Sequence, residues 1–284
     1  MNDWERYFSK PAHLKLFVMH TGSVHMRGNI HFNSKSPHFK TLPKDNRFNP
    51  ALAFLVQHPS RGCLLLDTGL HPSFAEKATG NFGGLLGRIV KIRSAHGLDV
   101  ITQLKKIAVH PGDIHAIILS HLHLDHTSGL PLFRGKNAAP VYADEKEIKK
   151  AYSPLAFAEG YLKTHLQGLA IHAVAFDKTV PPFERVCDFW DDGSVFIIGT
   201  PGHSPGHLSI ILNMNDGPIL LTFDAAHRKT NLDKDIPPKG DYRAALQSVH
   251  ALKAFLGQYV QTRVIFGHDP DQFEQLKHVP DYYA

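Results

Sequence analysis

The sequence predicts an α/β protein in which two β-sheets pack face to face and helices cover their outer sides. Three observations support this fold class. Short apolar runs recur along the chain, amphipathic helical stretches lie between them, and residues that commonly bind metals follow several of the runs directly. With 284 residues and a hydrophobic content of 43%, the chain can form one large domain, 1–284, with a sizeable core.

Apolar runs bounded by turn residues define the predicted strands. They lie at 14–20, 51–57, 63–66, 114–119, 170–175, 195–199, 207–213, 218–223 and 263–266. The run at 114–119, rich in isoleucine, has the composition of a buried strand.

Three helices are predicted from periodicity and capping residues. One lies at 99–108 with Asp99 as its N-cap, and an exposed helix lies at 143–152. The clearest helix spans 241–257, where Asp241 can cap the start and Gly257 the end. Its apolar face consists of Ala245, Val249, Leu252 and Leu256.

A cluster of potential metal ligands follows the predicted strand 114–119. His121, His123, Asp125 and His126 lie within six residues of one another, and imidazole nitrogens and carboxylate oxygens suit zinc and related ions. In extended chain, residues two apart point the same way, so His121 and His123 can converge on one ion. His126 is out of phase with them and is better placed for a second ion, with Asp125 as the nearest oxygen ligand. The alternative is a polar loop in a chain that contains 21 histidines.

The remaining ligands of two metal ions must come from other strand ends. Each of three later predicted strands is followed, directly or after a turn residue, by a residue whose side chain can bind a metal ion. These positions are His203 after strand 195–199, Asp224 after strand 218–223, and His268 after strand 263–266.

The motifs HLHLDH at 121–126, TPGHSPGH at 200–207, LLTFDA at 220–225 and FGHD at 266–269 resemble the metallo-β-lactamase superfamily. The residues of these motifs, the order of the motifs and the length of the chain are similar to those of the N-acyl homoserine lactone lactonases within this superfamily. The similarity runs from about Ala51 to the C-terminus, and LLLDTG at 64–69 matches the early strand-turn motif of the superfamily. The resemblance implies a four-layer αββα sandwich, the metallo-β-lactamase fold.

The resemblance also implies the role of each site residue. His121, His123 and His203 would hold the first metal ion. Asp125, His126 and His268 would hold the second, and Asp224 would bridge the two. Asp67 would orient a ligand without binding metal.

The family chemistry implies a metal-dependent hydrolase acting on carboxylic ester bonds. Two divalent ions, zinc or else iron, cobalt or manganese, would activate a bridging hydroxide that attacks the lactone carbonyl. Asp125 would act as general acid toward the departing ring oxygen. The implied substrate is an N-acyl homoserine lactone, so that the enzyme would quench quorum signals between bacteria.

One position departs from the family pattern. Many of these lactonases have a tyrosine three residues after the bridging aspartate, and here that position is His227. An imidazole can donate a hydrogen bond to substrate as the tyrosine does, which makes His227 a candidate catalytic and substrate-binding residue. The alternative is an ordinary loop histidine.

Apolar residues near the N-terminus and in the stretch 71–97 are candidates for an acyl pocket. Met26, Ile30 and Phe32 either line an apolar groove or belong to the core. The Gly/Phe-rich stretch, which includes Phe82, is either a flap that grips the acyl chain or a helix edge at a homodimer interface.

Composition limits the cellular setting and the partners. No 18-residue apolar run and no signal peptide are evident, and two separated cysteines, Cys63 and Cys187, suit free thiols in a reducing compartment. We therefore expect a cytoplasmic protein without a membrane partner. The net charge of +5 is dispersed along the chain, so we expect solvated helix faces and no nucleic-acid partner.

Other functions share this ligand pattern. A γ-butyrolactonase or a generic esterase would have the same ligands and a different pocket. A phosphodiesterase or nuclease of the same fold is a further alternative, and a metal-binding sensor or pseudoenzyme is the non-catalytic one. The filled ligand positions argue against an inactive site.

Overall fold

The first of two β-sheets is built from the N-terminal half of the chain. In the computed structural model, which describes residues 3–26, 31–42, 44–84, 86–135 and 138–284, this sheet has seven strands. They are β1 (Lys15–His25), β2 (Phe48–His58), β3 (Gly62–Leu66), β4 (Lys91–Arg93), β5 (Ile114–Ile118), β6 (Val141–Ala143) and β7 (Ile171–Ala173). Their order across the sheet is β4-β1-β2-β3-β5-β6-β7, with β3, β5, β6 and β7 parallel to one another.

The second sheet is built from the C-terminal half. Its six strands are β8 (Lys178–Val180), β9 (Phe183–Asp188), β10 (Val195–Gly199), β11 (Leu208–Leu212), β12 (Ile219–Phe223) and β13 (Arg263–Phe266). They are ordered β13-β12-β11-β10-β9-β8, and β12 pairs with β13 in parallel. Because β11 is antiparallel to both β10 and β12, the carboxyl ends of β10, β12 and β13 lie at the same edge.

Helices and short 3-10 turns connect the strands. The α-helices are α1 (Asp3–Phe8), α2 (Ser73–Glu76), α3 (Leu86–Ile89), α4 (Val100–Lys106), α5 (Leu124–Thr127), α6 (Glu145–Ala151), α7 (Lys163–Leu166), α8 (Lys229–Asp233), α9 (Tyr242–Gln258) and α10 (Pro270–Phe273). The 3-10 turns are Phe39–Thr41, Pro111–Asp113, Leu130–Phe133 and Ala156–Glu159.

Three apolar clusters define the layers. Alternate residues of β1 face opposite sides: Leu16 and Val18 belong to the cluster between the sheets, whereas Phe17 and Met19 pack with α4 on the outer side. On the far side of the second sheet, Trp4 of α1 and residues of α9 cover the strands. The predicted αββα sandwich is therefore confirmed.

Local signals predicted some boundaries well and others poorly. The side chains of Asp99 and Asp241 accept backbone N–H bonds as predicted N-caps. Gly257 does not end its helix, because α9 continues through Gln258 and Tyr259 occupies the C-cap. The predicted exposed helix at 143–152 is shorter, as α6, and it buries Glu147 on its inner face.

The structure also contains four strands that the sequence pattern did not predict, β4, β6, β8 and β9. Strands β4, β6 and β8 have only three residues each, and Glu184 and Arg185 interrupt the apolar pattern of β9, so the strand periodicity is weak in all four. Strand β1 extends beyond the predicted end at residue 20. Its pairing with β2 shifts between His20 and Gly22, where a β-bulge accommodates the left-handed φ of 137° at Gly22.

Among the described residues, no helix is both long enough and apolar enough to cross a bilayer.

Candidate metal centre

Four loops at strand ends bring the predicted ligands together. The loop after β5 and the short helix α5 carry His121, His123, Asp125 and His126, and the loop after β10 carries His203. The remaining ligands follow β12 and β13 and are Asp224 and His268. All of them lie at the edge where the carboxyl ends of these strands meet.

Asp224 divides the ligands into two groups. Its Oδ2 lies 3.3 Å from Nε2 of His203 and 3.8 Å from Nε2 of His121. Its Oδ1 lies 3.4 Å from Nε2 of His126 and 3.2 Å from Nε2 of His268. Ligand atoms bound to one tetrahedral zinc ion are roughly 3.3–3.6 Å apart. These separations therefore fit two ions that share the Asp224 carboxylate.

Two further contacts complete the groups. Nε2 of His203 lies 3.0 Å from Nδ1 of His123, which puts His123 with the first group. Oδ2 of Asp125 lies 3.7 Å from Nε2 of His268 and 3.9 Å from Nε2 of His126, which puts Asp125 with the second. The structure thus brings together every ligand that the sequence predicted for each ion.

Hydrogen bonds at Nδ1 leave Nε2 available in four of the histidines. Nδ1 of His126 bonds Asp67 Oδ2 at 2.7 Å, Nδ1 of His268 bonds the Pro50 carbonyl at 2.7 Å, and Nδ1 of His203 bonds the Lys239 carbonyl at 3.2 Å. Nδ1 of His121 contacts Ser120 Oγ at 3.0 Å. Since the carbonyls and the carboxylate can only accept, Nδ1 of His126, His203 and His268 carries the hydrogen, and neutral rings direct the Nε2 lone pair inward.

Several inward-facing atoms are buried without a hydrogen-bond partner among the described residues. They are Nε2 of His121, His126 and His268 and Oδ1 of Asp224. Buried polar atoms are rarely left unsatisfied in native proteins. Because these atoms face one another and have the chemistry of zinc ligands, the residues fit a pair of divalent cations.

The titration behaviour of the histidines follows from burial and from nearby carboxylates. Burial lowers the pKa of His121 and His203 well below the usual value, which favours the neutral, metal-binding form. Burial also opposes protonation of His126, but Asp224, Asp125 and Asp67 outweigh it and raise its pKa. Protons therefore compete with cations at His126.

Asp67 follows β3 and holds the loop after β5. It adopts a left-handed φ of 55°. Its Oδ1 accepts the Ser120 N–H at 2.7 Å, while Oδ2 accepts both the Ser120 hydroxyl at 2.8 Å and Nδ1–H of His126. The structure places this aspartate behind the ligands, in a position to orient His126.

His227 lies against the bridging carboxylate. Its Nε2 is 2.9 Å from Asp224 Oδ2, and its Nδ1 donates to the His31 carbonyl at 3.1 Å. With Nδ1 donating, the neutral ring has a lone pair at Nε2, so donation from Nε2 requires the imidazolium form. His227 lines the same cavity as the ligands.

A cavity of 530 Å³ opens above the ligands. Its polar residues include His123, Asp125, His203 and Asp224. Its apolar wall contains Val24, Met26, Ile89, Val90 and Leu124. The cavity therefore combines a floor of potential metal ligands with an apolar side.

The structure places the predicted pocket residues in different environments. Met26 lines the cavity, whereas Phe82 is buried behind the wall and packs edge-on against Phe74 at 4.6 Å. Phe32 is buried in a small cluster with Leu42 and Ile236, and Ile30 lies outside the described residues. The direct contact of Phe82 with an acyl chain is thus not supported by its position.

The supporting roles of Glu147 and His207 were not identified from the sequence. The buried Glu147 carboxylate accepts backbone N–H bonds from Leu122 and Gly206 in the two ligand loops. Nε2 of His207 accepts the Asp224 N–H at 3.0 Å, and burial lowers the pKa of His207 to about 3. Glu147 precedes Ala151 by four residues, so helical spacing could have placed it on the buried face of α6.

Comparison with known proteins agrees with this geometry. Residues 46–268 match the family described as the metallo-beta-lactamase superfamily. The N-acyl homoserine lactonase of Bacillus cereus is 32% identical over 248 residues, which cover 85% of this chain and 90% of that protein. The N-acyl homoserine lactonase AttM of Azorhizobium caulinodans is 29% identical over 239 residues, covering 82% and 87%.

Solved structures show a similar fold. A B. thuringiensis AiiA mutant with N-decanoyl-L-homoserine bound at its active site has a TM-score of 0.77 and 26% identity, covering 96% of this chain and 100% of that one. An N-acyl homoserine lactone hydrolase with the product N-hexanoyl-L-homoserine at its catalytic metal centre gives the same TM-score of 0.77, identity of 26% and coverage of 96% and 100%. The chain belongs to the metallo-β-lactamase superfamily.

Proposed function

We propose that the protein is a metal-dependent hydrolase that opens the lactone ring of N-acyl homoserine lactones. The observation that carries this proposal is the cavity, whose lining includes members of both ligand groups together with an apolar wall. Relatives at about 30% identity are named N-acyl homoserine lactonases. A quorum-quenching role follows from this substrate class.

The cavity matches an amphipathic substrate. A lactone ring carries the polar carbonyl that must reach the metal ligands, and the acyl chain requires apolar contact nearby. Val24 and Leu124 are buried, and the neighbouring Ile89 is 65% exposed. Apolar area that is already exposed in the empty cavity would be covered by an acyl chain, which favours binding.

His121, His123 and His203 would hold one divalent cation, Asp125, His126 and His268 would hold the other, and Asp224 would contact both. We infer that the ions are zinc, because the donor set of imidazole nitrogens and carboxylate oxygens suits that metal. When bound, such a pair of cations supplies Lewis acidity and a water of lowered pKa.

Two side chains facing the cavity can act on the substrate directly. Asp125 lines the cavity and is only partly buried, so its carboxylate can accept the proton lost by the attacking water and pass it to the ring oxygen as the ester bond breaks. His227 lines the same cavity, and in its imidazolium form Nε2–H can donate a hydrogen bond to a substrate oxygen.

We further propose that the protein acts in the cytoplasm, because both cysteines are free thiols. Homodimer formation stays a prediction, which light scattering on the purified protein would test.

Product analysis tests the proposal. The zinc-loaded protein is incubated with N-hexanoyl-homoserine lactone, and the product is identified by mass spectrometry. We expect a single product heavier by one water, the ring-opened N-hexanoyl-homoserine. Unchanged lactone together with hydrolysis of bis(p-nitrophenyl) phosphate would instead favour the phosphodiesterase alternative.

A further inference from the structure

Glu147 is a fully buried carboxylate behind the first ligand group. It lies on α6 and is 0% exposed. No lysine or arginine in the described part of the chain forms an ion pair with it. A buried carboxylate without a counter-charge is costly unless hydrogen bonds and nearby positive charge compensate it.

The hydrogen bonds of Glu147 join two separate loops. Oε1 accepts the N–H of Leu122 at 3.1 Å, and Leu122 lies between the ligands His121 and His123. Oε2 accepts the N–H of Gly206 at 3.0 Å, in the loop that carries His203. One side chain thus links the two loops that supply the first ligand group.

Tyr161 adds a third contact. Its ring packs against His123 with centroids 4.7 Å apart, and its hydroxyl lies close enough to Glu147 to be influenced by the carboxylate. Burial and then the Glu147 charge raise the pKa of Tyr161, so the hydroxyl stays protonated and available as a donor.

The loop after β10 fits closely against α6. A Cβ at Gly206 would lie 2.6 Å from the Glu147 nitrogen and 2.7 Å from Asp144 Oδ1, closer than atoms can pack. Glycine therefore allows the loop to reach the carboxylate, and the loop position depends on this contact.

We propose that Glu147 is a positioning residue for the first metal ion. It fixes the loop at 120–123 against the loop at 201–207, so that His121, His123 and His203 face one ion together. Its negative charge, which no lysine or arginine of the described residues neutralises, also favours a cation there. This inference rests on the dinuclear site of the proposed function and deepens it.

Metal release without substrate tests the proposal. The zinc-loaded parent, Glu147→Gln and Glu145→Gln are mixed with a chromophoric chelator, and the release of each of the two ions is timed. Glu145 is exposed on the same helix, so its substitution makes the same change of charge without touching the loops. We expect one ion to leave Glu147→Gln about 10–100-fold faster, as for other residues that orient metal ligands. The second ion and both ions of Glu145→Gln should leave at parental rates.

A second, milder variant tests the same contact in case Glu147→Gln does not fold. Tyr161→Phe removes only a hydroxyl, and we expect it to accelerate release of the same ion by a few-fold. Excess zinc should restore the activity of Glu147→Gln, which a merely unfolded protein would not allow. Unchanged release, or equal acceleration of both ions, in folded protein would overturn the proposal. A parent that holds two zinc ions but does not open lactones would refute the proposed function and leave this test intact.

Discussion

Oδ2 of Asp67 lies 2.7 Å from Nδ1 of His126, and both groups are buried. This contact fixes the hydrogen of His126 on Nδ1 and directs Nε2 toward Asp224 and the other candidate ligands of the second group. The orientation of His126 is thus set by a residue that directly follows a different strand, β3, which is adjacent to β5 in the sheet.

Asp67→Asn should weaken the binding of a metal ion by the second ligand group. An asparagine that turns its amide N–H₂ toward Nδ1 would favour the opposite tautomer, so we expect about 10–100-fold loss of metal affinity or activity. Timed zinc release should show faster loss of one ion, namely the ion whose release rate Glu147→Gln does not change. Asp99→Asn is the matched control, since asparagine also caps helices well. Parental release of both ions from Asp67→Asn would show that this contact does not orient the ligand.

His227 should act on substrate and not as a metal ligand. We expect His227→Phe to lower kcat about 100-fold or more while two zinc ions stay bound, the usual effect of removing a donor to a developing oxyanion. His227→Tyr restores a hydroxyl donor and should recover much of the activity. The measurements are zinc stoichiometry and steady-state kinetics. Loss of one zinc from His227→Phe would identify the ring as a ligand instead.

Met26 and Phe82 should have different effects although both are apolar. Met26→Ala removes cavity wall, so kcat/KM for N-decanoyl-homoserine lactone should fall about 3–10-fold, since each buried methylene contributes about 0.8 kcal/mol. The N-butanoyl substrate should be unaffected. Phe82→Leu should lower the melting temperature without changing this chain-length preference, because Phe82 packs behind the wall. Equal losses for both substrates in Met26→Ala would argue against acyl contact.

His165 should make folding sensitive to acid. Burial lowers its pKa to about 4 from the ordinary value of 6.5, and its Nδ1 contacts the Thr127 hydroxyl at 3.0 Å. The unfolded chain therefore binds a proton below pH 6.5 that the folded protein binds only near pH 4, so stability falls as pH falls through this window. The slope is at most about 1.4 kcal/mol per pH unit for one such proton.

Urea denaturation of metal-free protein at pH 7 and pH 5 measures this effect. His165→Gln should reduce the loss of stability between the two pH values by about one proton's contribution. An identical pH dependence in parent and variant would contradict the role assigned to burial of His165.

The ligand set could be predicted from sequence because each ligand directly follows an apolar strand or a short turn after it. The positions of His121, Asp224 and His268 can be predicted because each lies within three residues of the end of an apolar strand. The N-cap role of Asp99 is equally local. In these cases the chemistry and the backbone signal lie within a few residues of each other.

The supporting residues could not be found in the same way. Glu147 contacts Leu122 and Gly206, which lie far from it along the chain, and its charge suggested an exposed helix. Phe82 was placed in the pocket because it is aromatic, but it is buried behind the cavity wall, in the same apolar cluster as Val24 and Leu70, and does not line the cavity. Strand β9 was missed because Glu184 and Arg185 interrupt its apolar pattern. In each case tertiary packing decides the environment.

Proton release on mixing with lactones is the most direct test of the proposed activity. The protein, shown to hold two zinc ions, is mixed with N-butanoyl- and N-decanoyl-homoserine lactone and with γ-butyrolactone in the presence of a pH indicator. We expect rapid release with the acylated lactones and its loss in Asp224→Ala, which removes the shared ligand. No release with any lactone from the zinc-loaded protein would contradict the assignment as a lactonase.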